Sequence, residues 1–230
     1  MHSHPASTDC AAIIVAAGSS RRMGMDKLVW PLAGVTVLRR TIDAFLACPA
    51  IASLVVVCPE ERWKLIDSEG FSKPVKRVDG GETRQDSVAQ GLLALDAACR
   101  FVAVHDGARP LVSPDDINRC LEAAVSHRAA SLARRVTETM KRSDSGDFCV
   151  GAVNRENLWS METPQVFEVS LLRDAYAEVA ARNLVVTDEV SAVEAIGVKV
   201  KLIESLHPNL KITTPADLVL AEALMKTMIS

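Results

Sequence analysis

Short apolar runs alternate along the chain with segments in which apolar residues recur every three or four positions. The runs are rich in β-branched residues and cover 11–17, 54–58, 75–78 and 101–104. Such runs are typical of parallel strands that are buried on both faces, and the periodic segments between them are typical of packed helices. The alternation therefore predicts an α/β fold, a Rossmann-like and mostly parallel sheet with helices on both faces.

Three helix starts are marked by a hydroxyl residue with an acidic residue three positions later, a pattern that caps the free N–H groups of a first helical turn. They are TRQD at 83–86, SPDD at 113–116 and TPAD at 214–217. The second and third also have proline at the first helical position, where its missing N–H is no loss. We expect helices to begin at these points.

The stretch 136–157 interrupts the alternation, because the turn-forming sequence SDSGD lies between two segments with little helical periodicity. It is interpreted as a protruding β-hairpin, called the arm below. A lone hairpin cannot bury the arm's own Val150, Ala152 and Val153, and a symmetric partner chain is the most common surface to cover them. The arm thus predicts a homodimer.

Composition limits the remaining possibilities. The 230 residues are 49% hydrophobic with a net charge of -3, which suits one enlarged globular domain over 10–230 with residues 1–9 as a loose tail. The chain lacks the basic excess of a nucleic-acid-binding protein and any apolar run long enough to span a membrane. Its six cysteines are scattered, so we expect reduced core residues in a cytoplasmic protein, without zinc and without a covalent nucleophile.

The first predicted strand runs directly into a loop from Gly18 to Lys27, at the sheet edge where open α/β sheets bind ligands. Its small residues would let backbone N–H groups approach a ligand, and Arg22 and Lys27 could supply charge to phosphate oxygens. The loop matches neither the Walker A motif nor the dinucleotide fingerprint. On spacing alone, a surface turn with solvated charges is an equally good interpretation.

A second candidate follows the strand in FVAVHDGARP, which ends in His105, Asp106, Gly107 and Arg109. A carboxylate at this edge could hold Mg²⁺ directly or through water, or accept a hydrogen bond from a ribose hydroxyl. Considered alone, Asp106 more often caps the following turn, and the nearby cationic loop is what favours the functional interpretation. His105 has no histidine or cysteine at ligand spacing, so we expect it to make a structural hydrogen bond.

Further distinctive stretches are GGETRQDSV, TMKR, LWSMETPQVF, TDEVSA and NLKIT. Together with AAGSSRRMG (followed by DK and WPL) and VHDGARPLV, they resemble the 2-C-methyl-D-erythritol 4-phosphate cytidylyltransferase family, in the family's order, from about residue 11 to 228. Two positions depart from the family pattern. Ser20 stands where a glycine is usual, and Asp26 replaces a proline in a shortened segment before Lys27.

The resemblance implies an enzyme of the non-mevalonate isoprenoid route that transfers a cytidylyl group from CTP to a polyol phosphate, with Mg²⁺ held mainly by the CTP phosphates. The nucleotide would be bound by Ala16, Ala17, Gly18, Ser20, Gly81, Glu82, Ser87 and Gly107. The acceptor would be bound by Asp106, Arg109, Thr139, Thr163 and Thr187. The charge of the reacting phosphates would be stabilised by Arg22, Lys27, Arg155 and Lys211.

In this family the arm reaches into the partner's site, which would bring Thr139 and Arg155 to a neighbouring cavity. Two alternatives stay open from the sequence. One is a ribitol-5-phosphate cytidylyltransferase, whose acceptor is a similar polyol phosphate. The other is a catalytically silent, nucleotide-binding dimer, although four cations directed at two phosphates would have little use in a protein that only binds.

Overall fold

The computed structural model describes residues 10–18, 26–66 and 70–228. Within these residues the strands are β1 (Cys10–Val15), β2 (Pro31–Leu32), β3 (Val35–Thr36), β4 (Ser53–Val57), β5 (Val75–Val78), β6 (Phe101–Asp106), β7 (Ala129–Arg135), β8 (Lys141–Ser143), β9 (Cys149–Ala152), β10 (Trp159–Glu168) and β11 (Lys201–Glu204). The helices are α1 (Val37–Ala47), α2 (Glu60–Leu65), α3 (Arg84–Leu93), α4 (Pro114–His127), α5 (Val169–Ala181), α6 (Glu189–Ala195) and α7 (Pro215–Met228).

Seven strands form one sheet in the order β11-β7-β10-β6-β1-β4-β5. β1 pairs in parallel with β4 and β6, and β10 is antiparallel to both of its neighbours. The predicted mostly parallel α/β sheet is confirmed, and the four apolar runs correspond to β1, β4, β5 and β6. The carboxyl ends of β1 and β6 therefore meet at one edge.

The sheet has a core on each face. Ile14 packs on one side with Phe45 of α1, whereas Ile13 packs on the other with Phe167, and all four side chains are fully buried. Successive strand residues point to opposite faces, so a strand covered on both sides is apolar throughout. This is the physical reason for the continuous runs in the sequence.

All three predicted helix starts are confirmed, at the first residues of α3, α4 and α7. Before α3, the Thr83 hydroxyl accepts from the Asp86 N–H while the Asp86 carboxylate accepts from the Thr83 N–H, a complete capping box. Ser113 caps α4 by accepting from the Asp116 N–H. The α3 cap matters most for function because α3 starts beside the candidate site.

The arm is a β-hairpin, as predicted: β8 and β9 form a separate two-stranded antiparallel sheet. Asp144 closes its turn by accepting from the N–H groups of Gly146 and Phe148. Phe148 and Val150 are exposed on the arm. The partner chain expected to cover Val150, Ala152 and Val153 stays a prediction.

Of the six cysteines, Cys10, Cys48, Cys58 and Cys120 are buried and none of the six forms a disulfide. The expectation that all six are core residues is wrong for Cys149, which is exposed because the arm leaves the core, and Cys99 is half-buried. No helix in the described part of the chain is both long and apolar enough to cross a membrane. The predicted tail, residues 1–9, lies outside the described residues.

Candidate active site

A cavity of about 430 Å³ opens at the carboxyl ends of β1 and β6. This is where open parallel sheets bind ligands, since the connecting loops diverge there. Its wall is formed by Val15, Ala16, Ala17, Gly18, Lys27, Leu28, Gly81, Glu82, Thr83, Arg84, Ser87, Asp106, Ala108 and Lys211. Nine predicted site residues thus lie in one cavity: Ala16, Ala17, Gly18, Lys27, Gly81, Glu82, Ser87, Asp106 and Lys211.

The first wall is the exit of β1, where Ala16 still donates its N–H to the carbonyl of Val57 at 2.8 Å. Ala17 and Gly18 follow and leave the strand direction. Ser20 and Arg22, predicted to continue this wall, lie outside the described residues.

The second wall is the turn before α3. The Ser87 hydroxyl accepts from the Gly81 N–H at 3.2 Å and donates to the Thr83 carbonyl at 2.9 Å, which fixes the turn. A Cβ on Gly80 would lie 2.3 Å from the Ala17 Cβ, so only glycine lets this turn approach the β1 exit so closely. Gly80 was not predicted as a site residue, although two consecutive glycines, Gly80 and Gly81, were a signal for a close backbone approach.

Gly107 packs behind the wall rather than on it. Its N–H donates to the Val15 carbonyl at 2.9 Å, and a Cβ there would lie 3.1 Å from both the Ala16 Cβ and the Leu38 side chain. Its neighbours Asp106 and Ala108 reach the cavity. The glycine allows β1 and β6 to pack closely at the point where both end.

Three cations surround the carboxylate of Asp106. Lys211 Nζ lies 2.8 Å from Oδ2, Arg109 Nε lies 3.4 Å from the same oxygen, and Arg84 Nε lies 3.5 Å from Oδ1. Burial alone would raise the pKa of Asp106, but the charges of Lys211, Arg84 and Arg109 outweigh burial and hold the pKa well below its usual range. Asp106 is therefore ionised at neutral pH.

Arg84 is held from behind by Glu189, whose side chain is 1% exposed. The guanidinium donates to both carboxylate oxygens, at 2.5 and 2.9 Å, and the Tyr176 hydroxyl donates to Oε1 at 3.0 Å. Burial would lower the pKa of Arg84, yet the Glu189 carboxylate raises it, so Arg84 stays charged. No sequence motif indicated this pair, because its two members are far apart in the chain.

His105 makes the structural hydrogen bonds that the sequence predicted. Its Nε2 lies 3.3 Å from the Arg109 carbonyl, which can only accept, so Nε2 carries the proton and Nδ1 accepts from the Thr163 hydroxyl at 2.9 Å. Thr163 in turn accepts from the Asp106 N–H at 3.1 Å. Burial lowers the pKa of His105 to about 3, so the ring is neutral.

Thr163 was predicted to bind the acceptor, but its side chain is buried and occupied by this network. Its direct effect is to hold the backbone of Asp106. Thr163 is far from His105 and Asp106 in the sequence and meets them only in the folded chain. The motif that contains Thr163 could therefore not show whether its hydroxyl contacts a ligand or supports Asp106.

Two lysines from distant parts of the chain line the cavity beside Ile212. Lys27 Nζ donates to the Ile212 carbonyl at 2.6 Å, the Ile212 N–H donates to the Ala108 carbonyl at 2.8 Å, and Lys211 reaches Asp106. Lys27 and Lys211, remote in sequence, therefore both line the cavity. Their proximity concentrates positive charge there.

A neighbouring groove of about 320 Å³ shares Lys211 with the cavity. It is lined by Arg109, Arg134, Ser160, Met161, Glu162, Pro208, Asn209, Leu210, Lys211 and Leu224. Arg109 donates to the Asn209 carbonyl at 2.7 Å, which holds its guanidinium between the groove and Asp106. The border between the two spaces is therefore cationic on both sides.

The remaining predicted residues lie elsewhere on this chain. Thr187 is exposed, 3.0 Å from the Ser191 hydroxyl, in a shallow cleft that also contains Arg84. Thr139 and Arg155 are exposed on the arm, where Arg155 donates to the Thr137 carbonyl. Among the described residues that line the cavity, none comes from the arm of the same chain.

The described residues do not form a metal site of their own, because no three His, Cys, Asp or Glu side chains cluster among them. Asp106 is a single carboxylate whose charge is already offset by three cations. A hard divalent cation takes about six oxygen ligands, and most would have to come from a ligand with oxygens of its own. The cavity can thus accept a polyanion, with or without an accompanying cation.

Residues 10–227 match the family model described as "IspD: 2-C-methyl-D-erythritol 4-phosphate cytidylyltransferase". The chain is 41% identical over 223 residues to the 2-C-methyl-D-erythritol 4-phosphate cytidylyltransferase of Pelotomaculum thermopropionicum, covering 94% of each chain. It is 43% identical over 217 residues to that of Prochlorococcus marinus, covering 93% of this chain and 96% of the relative. Its fold matches the crystal structure of 4-diphosphocytidyl-2C-methyl-D-erythritol synthase from Anaerococcus prevotii with a TM-score of 0.84, 28% identity and coverage of 94% and 96%.

Proposed function

Because the chain belongs to the 2-C-methyl-D-erythritol 4-phosphate cytidylyltransferase family, we infer that it transfers the cytidylyl group of CTP to 2-C-methyl-D-erythritol 4-phosphate. The products are 4-diphosphocytidyl-2-C-methyl-D-erythritol and pyrophosphate. The resemblance noted from seven sequence stretches is confirmed by this membership. It favours the methylerythritol acceptor over ribitol 5-phosphate.

The single observation that carries the proposal is the position of Lys211. It lies on the border of the cavity and the groove, and its ammonium can face a phosphate in either. CTP would occupy the cavity, and the acceptor would occupy the groove with its phosphate towards Lys211 and Arg109. Asp106, between these two cations, would then face the acceptor's hydroxyl groups.

The reaction follows from charge. The acceptor phosphate has a second pKa of about 6, so it is mostly dianionic at neutral pH and attacks without a dedicated base. One of its oxygens forms a bond to the α-phosphorus of CTP as the bond from that phosphorus to the bridging oxygen breaks, and pyrophosphate leaves with the electron pair. The protein aligns two polyanions and offsets their repulsion.

The roles of individual residues are proposals on the same basis. Lys27 and Arg22 would stabilise the departing pyrophosphate, and the N–H groups of Ala17 and Gly18 would face the triphosphate. The backbone of Gly81 and Glu82 would border the cytosine. Ser87 would act indirectly, because its hydroxyl is engaged within the turn.

We propose that Mg²⁺ enters with CTP and is held mainly by phosphate oxygens, since the described residues lack a metal site of their own. It would neutralise part of the triphosphate charge.

We propose a homodimer in which the arm supplies Thr139 and Arg155 to the partner's groove. Exposed Phe148 and Val150 support this, since a partner surface would bury them. We further propose that residues 10–230 act as one domain, and that the enzyme is cytoplasmic, consistent with six cysteines that form no disulfide.

The test is an assay of the purified chain with CTP, Mg²⁺ and either 2-C-methyl-D-erythritol 4-phosphate or ribitol 5-phosphate. Pyrophosphate release and a ³¹P NMR diphosphate signal with the first acceptor are expected. Turnover with ribitol 5-phosphate alone would contradict the assigned acceptor, and CTP binding without turnover on either would indicate the silent dimer. Lys27→Ala should abolish most turnover while CTP affinity is largely kept.

A further inference from the structure

Arg62, on α2, contacts both ends of the loop that carries the predicted phosphate-binding residues. Its side chain is 7% exposed, and its Nε lies 2.7 Å from Asp26 Oδ2. Its two terminal nitrogens donate to the carbonyls of Ala16 and, at 3.2 Å, Gly18. Each of the three nitrogens of this nearly buried guanidinium thus contacts a residue at the beginning or the end of the loop.

The Asp26 carboxylate extends this link towards Lys27. Its Oδ1 accepts from the Leu28 N–H at 3.1 Å, while Oδ2 receives Arg62. The backbone on both sides of Lys27 is therefore fixed to the same guanidinium that holds Ala16 and Gly18. Lys27 and Leu28 both reach the cavity wall.

Arg62 also orients the peptide group between Ala16 and Ala17. In a trans peptide the C=O and the following N–H point in opposite directions, so an Ala16 carbonyl turned towards Arg62 turns the Ala17 N–H away from it. Ala16 and Ala17 line the cavity, whereas Arg62 is not among its described lining residues. The guanidinium therefore acts on the cavity only through backbone and through Asp26.

We propose that Arg62, paired with Asp26, is a positioning residue for nucleotide binding: it sets the β1 exit and Lys27 in the arrangement that receives the triphosphate of CTP. The inference rests on the proposed function, because it takes the cavity as the CTP site. The pair should affect CTP and leave the acceptor almost untouched, since it contacts Ala16 and Gly18 at the β1 exit and Leu28 beside Lys27.

The experiment compares Arg62→Gln, Arg62→Lys, Asp26→Asn and the double variant Arg62→Gln/Asp26→Asn. Arg39→Gln is the matched control, since Arg39 forms a similar 2.8 Å pair with Asp43 on α1. The readouts are Mg²⁺–CTP affinity by calorimetry, KM for each substrate, kcat and the thermal unfolding midpoint.

Arg62→Gln should weaken CTP affinity and raise the CTP KM by roughly 10- to 100-fold, because a loop displaced by about 1 Å misaligns its donors. The acceptor KM should stay within about twofold, and Asp26→Asn should show a smaller change in the same direction. Because both residues act as a unit, the double variant should be no worse than Arg62→Gln alone. Arg62→Lys should recover part of the affinity through its charge, without the fork that reaches two carbonyls.

Unchanged CTP affinity in Arg62→Gln, or equal increases in both KM values, would overturn the proposal. If Arg62→Gln does not fold, Asp26→Asn decides, because Asp26 is about one-third exposed (31%) and its replacement is isosteric. Unchanged CTP affinity in that variant would also overturn it. Absence of turnover by the unmodified chain would instead contradict the proposed function, while the CTP affinities of the variants would still report on Arg62.

Discussion

Lys211 Nζ lies 2.8 Å from Asp106 Oδ2 at the border of the cavity and the groove. Lys211 is partly exposed, whereas Asp106 is almost enclosed. The lysine can therefore exchange its carboxylate partner for an arriving phosphate while Arg84 and Arg109 keep Asp106 ionised. Under the proposed function, this ion pair would open when the acceptor arrives, and Lys211 would then bind the acceptor's phosphate.

Replacing Lys211 with methionine tests this exchange. We expect kcat/KM for the acceptor to fall by about 10²- to 10³-fold, because one preorganised cation is lost from a site where two phosphates meet. The pKa of Asp106 should rise, since Lys211 contributes most among the charges that lower it. Steady-state kinetics across pH would detect both effects. Lys64→Met, at an exposed pair with Glu60, is the control, and a Lys211 variant that matched this control would contradict the assigned role.

Gly80→Ala tests the contact between the α3 turn and the β1 exit. The new Cβ would lie 2.3 Å from the Ala17 Cβ and 2.9 Å from the Ser87 hydroxyl, so one wall must shift outward. We expect CTP affinity to fall by about 10-fold or more, because a 1 Å displacement is enough to misalign bound groups. Calorimetric titration with CTP measures this. Gly151→Ala on the arm, where a Cβ meets nothing within 4 Å, should bind CTP normally.

The fold was largely predictable because a strand that is buried on both faces of the sheet is apolar at successive positions, which is visible in the sequence. Continuous apolar runs marked β1, β4 and β6, whereas the edge strand β5 carries Lys76 and Arg77 between its two valines. Hydroxyl-acid spacing marked the starts of α3, α4 and α7. The wall residues were predictable where a motif kept them together. What could not be predicted were contacts between distant segments, such as Arg84 with Glu189 and Arg62 with Asp26, because side-chain pairing across a fold has no local pattern. Thr163 illustrates the same limit, since its motif could not reveal that its hydroxyl serves His105 and Asp106.

The ion pair of Glu189 with Arg84 should contribute more to stability than the hydrogen bond of Glu189 with Tyr176. Glu189→Gln removes the closer of the two carboxylates that face the partly buried Arg84 guanidinium, and we expect a loss of about 1–3 kcal/mol in the free energy of unfolding. Tyr176→Phe removes only a neutral donor and should cost about 0.5–1.5 kcal/mol. Urea denaturation of both variants gives the comparison. Equal losses would mean that the Arg84 pair adds nothing beyond the tyrosine hydrogen bond.

Subunit mixing tests the proposed contribution of the arm. Arg155→Ala and Lys211→Ala homodimers should each be nearly inactive, because each lacks one group at both sites. In a mixed dimer one site would combine an intact Lys211 with the partner's intact Arg155, so an equal mixture should recover about a quarter of the normal site activity. Mixing after brief denaturation and measuring pyrophosphate release gives the answer. Absence of recovery, with dimers present by sedimentation, would contradict a shared site.

His105 predicts a pH dependence of stability with a defined direction. Burial lowers its folded pKa to about 3 from an ordinary value of 6.5, so between these values only the unfolded chain binds a proton there. Stability attributable to the neutral ring is therefore full above pH 6.5 and is lost as the pH falls, by at most about 1.4 kcal/mol per pH unit. The ionised Asp106 adds a similar loss only at lower pH, because its usual range is already acidic.

His105→Gln separates the two windows. Glutamine can donate and accept as the ring does but does not titrate, so the stability difference between the two proteins should shrink as the pH is lowered from 7 to about 4.5. Urea denaturation at several pH values measures this difference. Parallel curves of stability against pH for the native chain and His105→Gln would mean that His105 is protonated in the folded protein. The hydrogen bonds argue against this outcome, because Nδ1 already accepts the proton of the Thr163 hydroxyl and Nε2 donates to the Arg109 carbonyl.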